Sequence, residues 1–147
     1  MKTAIFPGSF DPFTIGHYDI VKRGLDIFDE IIIGIGHNSH KVPTFPIEER
    51  LKSIKDAFAH EPRVKVELYE GLTIDFAHKH NAQHILRGVR SIKDFEYERD
   101  IAEANKQLCG IEPLLLYTRP DHAHTSPSLA RELYSYNKDI TPYLPQQ

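Results

Sequence analysis

The chain has 147 residues, with 18 basic and 21 acidic side chains and a net charge of -3 at pH 7. That length fits one domain that buries its core without metal or disulfide staples, and the single cysteine, Cys109, excludes an internal disulfide. No Lys/Arg-rich run marks a nucleic-acid footprint, and the apolar run Ile31 to Ile35 is cut off by Glu30 and His37, far short of a membrane span.

The first expected element is a strand from Thr3 to Phe6, which leaves no room for a signal peptide and makes the cytoplasm the expected location. A glycine-containing turn follows, Phe6-Pro7-Gly8-Ser9-Phe10-Asp11-Pro12-Phe13-Thr14-Ile15-Gly16-His17, and leads into a helix with the stripe Ile20, Val21, Gly24, Ile27 and Phe28. A second strand, Ile31 to Ile35, is apolar at successive positions, as in a strand buried on both faces of a parallel sheet. Beyond Gly36-His37-Asn38-Ser39-His40-Lys41 a helix begins near Ile47, with Ile47, Leu51, Ile54 and Phe58 on one face. Val64, Val66 and Leu68 alternate with Lys65 and Glu67, which predicts a more exposed strand.

The next helix is expected near Thr73, whose hydroxyl is placed to cap it. A fourth strand, His84 to Leu86, precedes a helical pattern that reaches Cys109, where a packed thiol is expected, and Leu114 to Tyr117 reads as another buried strand. Ser126 and Pro127 suit the cap and first position of a last helix, and the tail from Pro142 to Gln147 is expected to fray. This alternation predicts an α/β fold in one domain, 1–147: a doubly wound, five-stranded parallel sheet that binds ligands beyond the carboxyl ends of its strands.

The candidates for chemistry fall in strand-to-helix connections. In the first, Gly8 frees the turn from a Cβ, Gly16 allows close approach, and His17 stands where the positive end of a helix favours an anion. Thr14-Ile15-Gly16-His17 taken alone fits a purely structural turn better. In the second, Lys41 offers a mobile charge for a phosphate, although without context it reads as a solvated loop lysine. In the fourth, Arg87 and Arg90 flank Gly88 and present planar forks for phosphate oxygens, while Arg90 and Asp94, four apart, fit a helix-surface ion pair equally well. The pairs His122 and His124, His78 and His80, and His37 and His40 lack metal-site spacing, so no metal held by protein ligands is expected. Gly34-Ile35-Gly36 ends the second strand rather than the first and lacks a third glycine, so it is not a dinucleotide fingerprint.

Together, Gly8-Ser9-Phe10-Asp11-Pro12, Thr14-Ile15-Gly16-His17, Asn38 with Lys41, and Arg87-Gly88-Val89-Arg90 followed by Asp94-Phe95-Glu96-Tyr97-Glu98 resemble the phosphopantetheine adenylyltransferase family, from Lys2 to about Pro145. The resemblance implies a Rossmann-like nucleotidyltransferase fold and transfer of the adenylyl group of ATP to 4′-phosphopantetheine, giving dephospho-CoA and pyrophosphate in coenzyme A biosynthesis, with Mg²⁺ on the triphosphate. It implies catalytic roles for His17 and Lys41, and phosphopantetheine contacts from Ser9, Lys41, Leu72, Thr73 and Arg87. ATP contacts are implied for Ser9, Phe10, His17, Gly88, Val89, Arg90 and Glu98, and for the segment His122, Ala123, His124, Thr125, Ser126, Pro127 and Ser128. Phe95 and Tyr97 are expected only to pack. The last segment departs from the family's aromatic-rich run ending in consecutive serines, which leaves backbone N–H groups as the expected phosphate donors there.

Family members assemble as hexamers, so a homohexamer is expected, without nucleic acid or membrane as a partner. Two rival readings are distinguishable. A nucleotidyltransferase acting on nicotinamide mononucleotide or on a cytidylyltransferase substrate would share residues 14–17 but not the 87–98 cluster, and a nucleotide-binding module would bind ATP without releasing pyrophosphate.

Overall fold

A computed structural model of the chain describes residues 1–37, 42–122 and 125–145, without the side chains of Asn105, Leu108, Cys109 and Pro120. Five strands, β1 (Thr3–Gly8), β2 (Glu30–Gly36), β3 (Val64–Tyr69), β4 (His84–Val89) and β5 (Glu112–Tyr117), form one parallel sheet in the order β3-β2-β1-β4-β5. Helices α1 (Ile15–Gly24), α2 (Ile47–Ala57), α3 (Thr73–Lys79) and α4 (Ile92–Cys109) alternate with the strands, and α5 (Pro127–Ser135) follows β5.

Successive strand residues point to opposite faces, and here both faces are covered. Ala4, Phe6, Ile31, Ile33, Ile35 and Leu86 pack with Ile20, Val21 and Phe28 on one side, joined by Ile54 and Phe58, whereas Ile5, Ile32 and Ile85 pack with Phe76 and Ala77 on the other. That two-sided burial is why β2 reads as an unbroken apolar run. The expected doubly wound sheet is therefore present.

The order reverses between β1 and β4, and these two strands pair only at Ala4↔His84 and Ile5↔Ile85. Above that point each continues pairing with its other neighbour, β1 with β2 as far as Gly8 and β4 with β5 as far as Val89. The sheet thus splits at its switch point, the place where open α/β sheets bind ligands.

Several expectations are corrected. β4 runs to Val89, so Arg87 and Gly88 are strand residues rather than loop residues. β5 is an edge strand with half-buried side chains rather than a strand covered on both faces. Leu72, not Thr73, holds the cap position of α3, and the Thr73 hydroxyl lies 2.9 Å from the Tyr69 hydroxyl instead. Ser126 does cap α5, accepting from the Leu129 N–H, with Pro127 as the first helical residue. Among the described residues, no helix is long and apolar enough to cross a membrane.

Candidate active site

α1 begins with a capping box. Thr14 Oγ1 accepts from the His17 N–H at 3.3 Å, and the Thr14 N–H donates to His17 Nδ1 at 3.0 Å. A ring nitrogen that accepts from a backbone N–H carries no proton of its own, so the neutral imidazole holds its proton on Nε2. Phe6, Phe10 and Phe13 surround the ring, with centroids 6.2, 5.0 and 5.3 Å away. Burial among them, followed by the positive charges of Arg90 and Arg87, holds the His17 pKa down to about 3. At neutral pH the side chain is an uncharged hydrogen-bond donor.

His17 lines a cavity of about 350 Å³ in the split between β1 and β4. Its walls are the end of β1 and the following turn (Phe6 to Phe10), the start of α1 and the end of β4 with Arg90. One face of α4 (Asp94, Tyr97, Glu98) and the segment after β5 (Thr118, His122, Thr125, Pro127) complete it. Two glycines permit close approach. A Cβ at Gly16 would lie 3.0 Å from Thr125 Oγ1, and one at Gly8 would lie 3.0 Å from the Phe10 ring. Gly8 therefore accommodates an aromatic ring rather than a special backbone conformation. The left-handed residue of this turn is Phe10 itself, at φ 48, and its buried ring packs between Phe6, Phe13 and His17.

Arg87 bridges the split. Its Nη1 donates to the Pro7 carbonyl at 2.8 Å, while Nε and Nη2 grip the Glu98 carboxylate, the shortest contact being 2.7 Å. Both oxygens of the buried Glu98 accept from Arg87, so Glu98 reaches the cavity as the partner of that guanidinium. Arg90 Nε lies 3.6 Å from Asp94, whose carboxylate also accepts from the Arg90 N–H, so the helix-surface ion pair exists at the cavity wall.

The cavity brings together Ser9, Phe10, His17, Arg87, Gly88, Arg90, Glu98, His122, Thr125 and Pro127 from the expected set. The Val89 side chain is buried in the core, and Ser126 and Ser128 are occupied on α5, where Ser128 Oγ accepts from Arg131. Leu72 and Thr73 stand beyond β3, outside this lining, with Leu72 66% exposed. Lys41, Ala123 and His124 lie outside the described residues. Asp94, Tyr97 and Thr118 line the cavity without having been expected there, and Tyr97, expected to pack, is 64% exposed. The spacing of 94, 97 and 98 on one helical face was the signal available in the sequence for the first two. Among the described residues, no group of three or more His, Cys, Asp or Glu is arranged to hold a metal ion.

The cytidylyltransferase-like family profile matches residues 5–133. The phosphopantetheine adenylyltransferase of Phocaeicola vulgatus is 53% identical over 146 residues, covering 99% of this chain and 97% of its own length. That of Flavobacterium johnsoniae is 47% identical over 145 residues, covering 99% and 95%. Among solved structures, a bifunctional NMN adenylyltransferase/ADP ribose pyrophosphatase of Francisella tularensis, complexed with AMP and a manganese ion, superimposes with a TM-score of 0.72 at 15% identity, over 99% of this chain and 45% of that one. A lipopolysaccharide core biosynthesis protein of Thermoplasma volcanium gives 0.57 at 20% identity, over 81% and 97%. These two likenesses speak for the fold, and the sequence identities over nearly the full length speak for more: the chain belongs to the cytidylyltransferase-like family and, within it, to the phosphopantetheine adenylyltransferases.

Proposed function

We propose that the cavity at the β1/β4 split is where this chain transfers the adenylyl group of ATP to 4′-phosphopantetheine, the reaction of its family, giving dephospho-CoA and pyrophosphate. The observation that carries the assignment is a neutral imidazole with its proton on Nε2, set between a helix N-terminus and two guanidiniums. The phosphate of phosphopantetheine is ionised at neutral pH, so its attack on the ATP α-phosphorus needs no general base. One P–O bond forms, the bond to pyrophosphate breaks, and the protein's task is alignment and charge stabilisation.

His17, held far below its ordinary pKa, is a poor base and suits hydrogen-bond donation to an α-phosphate oxygen as charge builds there. Lys41 holds the nucleophilic phosphate, with Arg87, Ser9, Leu72 and Thr73 along the phosphopantetheine path. Ser9 and Phe10 contribute donors from the turn, and Gly88 to Arg90 contact the nucleotide with Glu98 behind them. The segment 122–128 holds phosphates through its backbone.

The carboxylates at the cavity, Asp94 and Glu98, face Arg90 and Arg87, so a divalent ion such as Mg²⁺ would be held by the ATP phosphates rather than by these side chains, and it would supply screening of the phosphate charge. The chain works as one domain, 1–147, in a cytoplasmic homohexamer.

The test is pyrophosphate release with ATP and Mg²⁺, comparing 4′-phosphopantetheine, unphosphorylated pantetheine and nicotinamide mononucleotide. Release with phosphopantetheine alone is the expected result. Release with nicotinamide mononucleotide instead would move the acceptor, and ATP binding with no release would overturn the enzymatic reading of the site.

A further inference from the structure

One charged residue breaks the pattern of α2. Ile47, Arg50 and Ile54 are spaced by three and four, and Arg50 occupies an inward position where the helix calls for an apolar side chain. It is 7% exposed, and its partners among the described residues are two backbone carbonyls, Phe45 at 3.0 Å from Nε and Ser9 at 2.7 Å from Nη1, with no carboxylate. A buried guanidinium without an acidic partner is costly, and a sequence that keeps one against its own helical pattern places a functional demand there. The demand lies at Ser9, the residue shared by the large cavity and by a smaller one of about 190 Å³ that Arg50 and Arg131 line.

Further contacts hold the same turn. The buried Asp11 carboxylate accepts from the Thr44 and Phe45 N–H groups, each at 2.9 Å, and Arg131 donates to the Asp11 carbonyl at 3.0 Å. The turn from Ser9 to Asp11 lies beyond the last residue of β1 and takes its support from α2, α5 and the segment before α2. A trans peptide is planar, with its C=O and N–H pointing in opposite directions. A Ser9 carbonyl fixed on Arg50 therefore turns the Phe10 N–H away from Arg50, and that N–H has no partner among the described residues. The same peptide sets the left-handed Phe10, whose ring stands 5.0 Å from that of His17.

We propose that Arg50 is a positioning residue for nucleotidyl transfer: by holding the Ser9–Phe10 peptide it aims the Phe10 N–H at the phosphate site and keeps the Phe10 ring against His17. This inference rests on the reading of the turn and of His17 given above. Lysine keeps the charge but cannot bridge both carbonyls with a planar fork.

The experiment measures kcat, KM for ATP and thermal unfolding for Arg50→Lys, alone and combined with His17→Ala. Misplacement of this turn is expected to lower kcat of Arg50→Lys by about 10-fold or more while KM for ATP moves by less than about 3-fold. Because the Phe10 ring that Arg50 helps to place rests against His17, part of the loss is shared, and Arg50→Lys on top of His17→Ala is expected to cost clearly less than Arg50→Lys alone. Near-parental kcat in Arg50→Lys, or the same fold-loss in both backgrounds, would overturn the proposal, since a generally weakened fold gives additive losses. If Arg50→Lys does not fold, Arg131→Gln, which among the described residues frees the Asp11 carbonyl and the Ser128 hydroxyl, is tested the same way, and additivity there is equally decisive. His17→Ala as active as the parent would defeat the reading of the site itself. An impaired His17→Ala beside an unimpaired Arg50→Lys would defeat this inference alone.

Discussion

Replacing His17 with alanine deletes a donor whose state is set by its surroundings. The Thr14 N–H occupies Nδ1 at 3.0 Å, leaving Nε2 as the only donor of the ring, and the pKa of about 3 keeps it neutral. Loss of one oxyanion-type donor costs about 3–4 kcal/mol of transition-state stabilisation, or about 10²- to 10³-fold in turnover. The fold loses less. One of the two capping-box bonds disappears while the N–H of residue 17 can still donate to Thr14 Oγ1, which is worth about 1 kcal/mol.

A pH signature accompanies the change. The folded pKa of about 3 lies below the ordinary value of 6.5. As pH falls between those values, the unfolded chain takes up a proton that the folded chain refuses. The associated stability is fully present above 6.5 and is lost towards 3, with a slope of up to about 1.4 kcal/mol per pH unit. His17→Ala lacks this contribution, so its stability should fall less steeply over that window. Pyrophosphate release at saturating substrate measures the turnover, and urea unfolding from pH 4 to 7 measures the slope. An unchanged turnover, or identical pH slopes for parent and variant, would refute the reasoning, as would an imidazole seen by NMR to titrate near 6.5.

Glu98→Gln leaves the Arg87 guanidinium with its Pro7 carbonyl but without its carboxylate. Glu98 is 10% exposed and Arg87 32%, so a loss of about 1–3 kcal/mol is expected in urea unfolding, below that of a fully buried pair. KM for phosphopantetheine should rise with it, and a variant with parental stability would show that the pair is not what holds Arg87. Gly8→Ala sets a methyl 3.0 Å from a Phe10 ring that three aromatic neighbours confine, so a loss of about 1–3 kcal/mol and a fall in kcat are expected; parental values for both would mean the ring yields freely. Chelation with EDTA should stop pyrophosphate release, and excess Mg²⁺ should restore it without any change in the unfolding midpoint of the nucleotide-free protein; a lowered midpoint would point to an ion held by the protein itself.

Much of this molecule is local in origin and was therefore legible in the chain. The unbroken run Ile31 to Ile35 announces a strand covered on both faces, and Ser126-Pro127 announces a helix start, because periodicity and capping act over a few residues. Thr14 to His17 mark the capped start of α1 for the same reason. The family's motifs led to ten of the residues that line the cavity. Contacts between distant segments left no such mark. That β1 and β4 part above Ile5, that Arg87 fills the gap against Pro7 and takes both oxygens of Glu98, and that Arg50 reaches across 41 positions to Ser9 all depend on which chain ends the fold brings together. The residue types and their helical or strand faces are written in the sequence. The protonation and tautomer of His17, and the aim of the turn beside it, arise only once three phenylalanines, two arginines and a backbone N–H converge on one ring, because burial and field are properties of the assembled site.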